Sequence, residues 1–312
     1  KVLLDYLISI KRINVLVTLT PDLAVKNEVA DYEDLADYAR QKDIKVYHVS
    51  AYHMKTDLDL TTIKNFKIDI AFVLGWQRLV PEGILNTFSI GAFGMHGSAL
   101  NLPYGRGRSP MNWSIIEGRK TFYTNLFKYD AGVDSGKVLD TFKFGIDDRD
   151  TAFTMHVKNT LAMKYLVQRN LDSLLSGEFT LQAQPDIEPT FYPKRSPADG
   201  LIDWTDDVYA IERFIRAVTK PFDGAFSFAN GERVVFYSAQ ILDIHEFGYE
   251  SKSVGKVVEV FSNGSFLIKA LGGLLLVTDY LSDIEIKRDH MFNNGSSIIS
   301  SYTRNRHGNF DI

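Results

Sequence analysis

Cysteine is absent from this chain of 312 residues. No disulfide frame and no thiolate metal site can be built from it. The seven histidines are scattered, with no HExxH pair or comparable ligand spacing, so no metal is expected. Basic residues are not in excess. Lys and Arg number 35 against 39 Asp and Glu, a net charge of −4, with a pI near 6.0. A partner gripped along a phosphate backbone would need a basic face, so nucleic acid is disfavoured, although a local basic groove stays open. No apolar run is long enough to span a bilayer and no signal peptide opens the chain, so a soluble cytoplasmic protein with no membrane partner is expected. No internal repeat is visible.

What is present is an ordinary globular composition, 45% hydrophobic. Residues 1–11 have the spacing of an amphipathic helix. "INVLVTLT" (13–20), "IKVYHVS" (44–50), "IDIAFVLG" (68–75) and "SIGAFGMH" (89–96) are short apolar runs that suit buried strands, with helical segments between them. This alternation predicts an α/β fold with a mostly parallel sheet and ligands at the carboxyl ends of the strands. A doubly wound unit normally opens with a strand. Here a helix comes first, which predicts that the first strand is missing from the chain and the sheet is irregular there. "TFYTNLFKYD" and "KVLDTFKFGI" read as two strands joined by the turn-rich "AGVDSG", followed by a long helix over about 151–176. Residues 177–203 are polar, with four prolines. From 224 onward, short strands separated by Asn230-Gly231, Asn263-Gly264 and Gly272-Gly273 predict a small β-barrel. The resulting division is a catalytic domain over 1–180, a linker over 181–204, a barrel domain over 205–290 and a loosely held tail over 291–312.

His96 stands where one of the strands gives out, at the head of a long loop, "GSALNLPYGRGRSP". A titratable ring there suits general acid–base chemistry. Arg106 and Arg108, set between glycines before a helix start at Pro110, suit an anion. Taken alone, each has a plainer reading: a strand-end histidine held by backbone, or a solvated loop arginine. Trp76 and Trp204 read equally well as packing residues, and Asp134 as the turn residue of Gly-Val-Asp-Ser-Gly.

Taken together the motifs are more specific. His96-Gly97-Ser98, Leu102-Pro103, Arg106-Gly107, Pro110, Trp113, Gly118 and Gly132-Val133-Asp134-Ser135-Gly136 resemble, in order and spacing, the formyltransferases that use 10-formyltetrahydrofolate. "RSPADGLIDW" (195–204) and "RAVTKPFDGAF" (216–226) are similar to segments of the enzymes that act on nucleotide-linked amino sugars. The resemblance covers about residues 1–280. It implies a Rossmann-like catalytic domain with a C-terminal OB-like barrel, and formyl transfer to a primary amine with 10-formyltetrahydrofolate as co-substrate. It also implies that His96 and Asp134 form the catalytic pair. Gly75, Trp76, Gln77, Arg78, Leu79, Val80, Gly132 and Val133 would line the pterin site. Ser98, Arg106, Arg108, Asp203, Trp204 and Arg216 would face the substrate.

The family pattern places an asparagine two residues before the histidine, and Gly94 stands there instead. Its loop after the histidine is also two residues shorter. Three accounts of Gly94 follow. Asn101 or Asn112 brings in another amide, water or backbone N–H fills the gap, or the protein binds ligands without turnover. The loop "PDLAVKNEVADYEDLADYAR" holds more acidic than basic residues and would repel a phosphate backbone. An amino sugar on a nucleoside diphosphate is therefore favoured over methionyl-tRNA as the amine. A catalytically impaired binding homologue is the other alternative, and a homodimer stays open.

Overall fold

Between the amphipathic helices, the apolar runs form short strands. The N-terminal elements are α1 (Val2–Ile10), β1 (Val15–Thr18), α2 (Pro21–Lys26), α3 (Ala36–Arg40), β2 (Lys45–His48), α4 (Asp57–Asn65), β3 (Ile70–Val73), α5 (Glu82–Leu85) and β4 (Gly91–Ser98). Next come β5 (Arg106–Gly107), α6 (Pro110–Ile116), β6 (Thr121–Lys128), β7 (Val138–Gly145), α7 (Ala152–Ser176) and β8 (Phe191–Tyr192). The C-terminal elements are α8 (Val208–Val218), β9 (Ala225–Ala229), β10 (Glu232–Asp243), β11 (Val257–Val260), β12 (Phe266–Ala270), β13 (Gly273–Ser282) and β14 (Phe292–Asn293). The structure is a computed structural model that describes residues 1–10, 13–29, 32–295, 297 and 302.

The chain divides into two units. The first comprises Lys1–Gly97, Tyr123–Phe142 and Asn159–Ile187. The second comprises Ser98–Phe122, Lys143–Lys158 and the chain from Glu188 onward. Parallel pairing organises the first. β1 runs beside β2 with Val15 opposite Lys45 and Thr18 opposite His48. β3 runs beside β4 with Ile70 opposite Gly91 and Val73 opposite Gly94. The larger sheet has the order β3-β4-β6-β7. Among the described residues no ladder joins β1 to β3, so the parallel strands belong to two sheets, and every residue of β1 and β3 is only half-buried. Helix starts are set locally. Thr20 and Thr56 cap α2 and α4, their hydroxyls accepting from Leu23 N and Asp59 N. Phe93, Leu126, Leu166 and Leu174 pack into one buried cluster that joins β4, β6 and α7.

In the second unit the six antiparallel strands follow the order β11-β12-β13-β10-β9-β14. The sheet curls until its ends meet. Lys256 bridges Met291, Phe292 N donates to Gly255 O at 2.9 Å, and Val257 N donates to His290 O at 2.9 Å. Closure removes the exposed edges that an open sheet would carry. Gly255 is needed there, because a Cβ on it would lie 2.6 Å from the Phe292 carbonyl oxygen and its φ is +84°. Phe292 thus belongs to the barrel rather than to the expected tail: its ring packs against Trp204, Phe236 and Phe266. Of that tail, residues 296, 298–301 and 303–312 lie outside the described residues.

The proline-rich stretch is also tied down. β8 pairs in parallel with β5, Arg106 opposite Phe191 and Gly107 opposite Tyr192. Trp113 stacks on Tyr192 at 6.2 Å and donates from Nε1 to Pro193 O at 3.0 Å. Arg195 lies over the Trp113 ring at 4.9 Å, and burial pushes its guanidinium below the usual range.

Candidate active site

β4 carries the central ring of the site. Its residues Ala92 and Phe93 are buried, and strand alternation puts Gly94 and His96 on one face. His96 is buried, with its Nδ1 3.4 Å from Asp134 Oδ2. That is longer than an ordinary direct hydrogen bond, yet close enough for the carboxylate to orient the ring.

Asp134 sits at φ 49° in the turn between β6 and β7, a left-handed conformation that Asp tolerates. Two residues hold this turn. Asp130 Oδ1 accepts from Gly132 N (3.0 Å) and Ser135 Oγ (2.6 Å). Gln184 Nε2 donates to Asp134 O (2.7 Å) and Gly136 O (2.8 Å). Sequence reasoning named neither. The Asx-turn spacing of Asp130 was a usable signal, whereas Gln184 acts from 50 residues away and has none.

Gly94 is not a gap. A Cβ placed on it would lie 2.2 Å from Tyr129 Cε1, 2.7 Å from Cζ and 2.8 Å from the hydroxyl oxygen. The phenol end of Tyr129 therefore fills the space that the sequence left open for a water or another amide. Tyr129 N donates to Ala92 O at 2.8 Å, which keeps the chain beside β4. On its other side the Phe127 ring stacks at 5.1 Å. Burial, and then the nearby Asp134 charge, push the Tyr129 phenol far above its ordinary value, so it is neutral at physiological pH.

The segment after β3 is built around Tyr52. Trp76 meets the Tyr52 ring edge-on at 5.0 Å, Gln77 N donates to its hydroxyl at 3.2 Å, and the Arg78 guanidinium lies 5.3 Å from its centroid. Gly75 has φ +70°, Leu79 is exposed, and Val80 is buried. Trp76 and Tyr129 pack against the same apolar cluster as Val80 and Ile84. Trp76 Nε1 is buried and, among the described residues, has no hydrogen-bond partner. Buried donors are nearly always satisfied, so this one fits a ligand acceptor. Gly132 and Val133 lie on the exposed face of the Asp134 turn.

The remaining candidates belong to the second unit. Arg106 N donates to Thr190 O (3.0 Å) and Arg108 N to Tyr192 O (2.9 Å), so both backbones are in the β5–β8 pairing. Ser98 is fully buried, its hydroxyl accepting from Leu100 N at 3.2 Å. Asn101 is exposed.

Four further candidates are engaged within the protein. Asn112 is buried and its Nδ2 donates to Ala217 O at 2.7 Å, so the amide ties α6 to the end of α8. Trp204 is a barrel-core residue, with Nε1 donating to Ser227 Oγ at 2.9 Å. Asp203 shapes its own turn by accepting from Thr205 N at 2.9 Å. Arg216 is engaged by Glu212 and by the carbonyl of Asp150. Among the described residues no three His, Asp or Glu side chains are grouped to hold a metal ion, and no helix is long and apolar enough to cross a membrane.

A histidine on a strand of a parallel sheet faces a carboxylate in the turn after β6, in a chain that also carries a small antiparallel barrel. Residues 11–168 match the formyl transferase family, and residues 194–285 match the formyl transferase C-terminal domain. The chain belongs to the formyl transferase family.

It is 32% identical over 179 residues to the bifunctional polymyxin resistance protein ArnA of Wigglesworthia glossinidia brevipalpis, covering 57% of this chain and 27% of that one. The chain thus spans about a quarter of that relative's length. Two solved structures share the fold. HypX from Aquifex aeolicus in complex with tetrahydrofolic acid superposes with a TM-score of 0.61 at 17% identity, covering 92% of this chain and 46% of that one. The N-formyltransferase from Helicobacter canadensis, in complex with folinic acid and dTDP-3-aminofucose, gives 0.58 at 17% identity, covering 86% and 100%.

Proposed function

We propose that this protein transfers the formyl group of 10-formyltetrahydrofolate to the primary amine of a sugar carried on a nucleoside diphosphate. The observation that carries this reading is the His96–Asp134 pair, 3.4 Å apart between β4 and the turn after β6. The amine must attack as its neutral base. With Nδ1 turned to Asp134, the other ring nitrogen of His96 takes the amine proton and returns it to N10 as the C–N10 bond breaks. Asp134 stabilises the imidazolium between these steps. The orphaned Trp76 indole N–H and the Gly75–Val80 segment suit the folate ring, with Gly132 and Val133 on the adjoining turn.

Two features support an amino sugar over a transfer RNA as acceptor: the acidic sequence over residues 21–40 and the net charge of −4. The Helicobacter canadensis N-formyltransferase, solved with dTDP-3-aminofucose, points in the same direction. Incubation with 10-formyltetrahydrofolate and a panel of UDP- and dTDP-linked amino sugars, read by mass, tests the proposal. A formylated sugar is expected. Formylation of methionyl-tRNA alone would refute the sugar assignment, and no formyl product from any amine would refute the activity.

A further inference from the structure

Acyl transfer puts a negative charge on the carbonyl oxygen in the tetrahedral intermediate, and a preorganised donor must meet it. His96 is occupied with protons, and Asp134 can only accept. Near them lies the neutral hydroxyl of Tyr129. Tyr129 follows β6, is held beside β4 by its bond to Ala92 O, and lays its hydroxyl end over Gly94 on the face that carries His96.

The placement depends on the absence of a side chain at position 94, because a Cβ there would sit 2.8 Å from the hydroxyl oxygen. Phe127 backs the ring at 5.1 Å and fixes its plane. None of the hydrogen bonds among the described residues uses this hydroxyl, so its proton is uncommitted. The phenol stays protonated because burial and the Asp134 charge both disfavour the phenolate.

We propose that the Tyr129 hydroxyl is the hydrogen-bond donor to the oxyanion of formyl transfer, in a site made for it by Gly94. This rests on the formyl-transfer reading above. The amine nitrogen forms a bond to the formyl carbon and the carbonyl π pair moves onto oxygen. Tyr129 donates a hydrogen bond to that oxygen and keeps its proton. The pair then returns, the C–N10 bond breaks, and the proton taken from the amine by His96 goes to N10.

Tyr129→Phe keeps the ring that fills the space over Gly94 and removes only the donor. With 10-formyltetrahydrofolate and the amino sugar that gives the highest wild-type turnover, kcat is expected to fall about 100- to 1,000-fold, with both KM values within about twofold. A second arm separates chemistry from packing. Tyr129→Ala should be as slow as Tyr129→Phe, and adding Gly94→Asn to it should restore at least tenfold of the lost kcat, since an amide then occupies the vacated space. An active wild type whose Tyr129→Phe variant stays within threefold in kcat would overturn the donor role alone. A wild type that formylates no amine would overturn the transfer reading and the donor role with it.

Discussion

The two units of the chain reach stability in different ways. In the second, β12 is buried along its whole length and the barrel closes on itself through Lys256 and Met291. In the first, β1 and β3 are half-buried at every residue and belong to separate sheets. The pair assigned to chemistry, His96 and Asp134, lies in the first unit. The contrast suggests a division of labour: the barrel supplies packing, and the parallel strands supply strand ends that a ligand can reach.

The largest effect on folding should therefore come from the barrel. Phe236 is fully buried and touches Trp204, Phe266 and Phe292. Phe236→Ala should cost about 3–5 kcal/mol in denaturant unfolding. A loss below about 1 kcal/mol would break the comparison.

Next comes a tightly built polar centre of the first unit. Asp59 is fully buried and accepts from Tyr47 Oη, Ser50 N, Ser50 Oγ and Thr56 Oγ1 at 2.7–2.9 Å. Asp59→Ala leaves buried donors unpaired and should cost about 3 kcal/mol. Burial alone would raise this carboxyl, but the bonds from Ser50, Tyr47 and Thr56 outweigh it and hold it below the usual carboxylate range. Because the folded-state value is depressed, its contribution is complete above about pH 4 and is lost as pH falls through the depressed value. Urea titrations from pH 7 to pH 2 should show an acid-side loss that Asp59→Asn flattens.

A smaller effect is expected at Gly94. Gly94→Asn forces the Tyr129 ring aside, an overpacking cost of about 1–3 kcal/mol, together with a drop in turnover. Equal stability and turnover would show that the ring is not fixed there. The smallest effect sharpens the contrast directly. Val277 is fully buried in the barrel, while Val17 is half-buried in β1. Val277→Ala should cost about 2 kcal/mol, and Val17→Ala less than about 1 kcal/mol.

Local signals made much of this legible from sequence. Alternating apolar runs gave the parallel strands, and Asn230-Gly231, with φ of 53° and 84°, gave the β9–β10 turn. His96 lies within β4 rather than past its end, because the strand runs on to Ser98. What sequence reasoning missed depends on contacts between distant segments. Nothing near Gly94 announces Tyr129, 35 residues later. Trp204, which reads as either a packing or a substrate-side residue, enters the barrel core, and Asn112, a candidate amide donor, bonds the Ala217 carbonyl. The proline-rich segment read as a linker because its pairing partner, β5, is only two residues long and far away in sequence.

The central claim is that His96 moves the proton in formyl transfer. Single-turnover transfer from 10-formyltetrahydrofolate to the best amino sugar of the panel, compared between wild type and His96→Ala, tests it most directly when folate affinity is measured on the same preparations. The account predicts transfer by wild type, and a loss of at least about 1,000-fold in His96→Ala with folate affinity retained. A His96→Ala variant that transfers formyl at near the wild-type rate would contradict it.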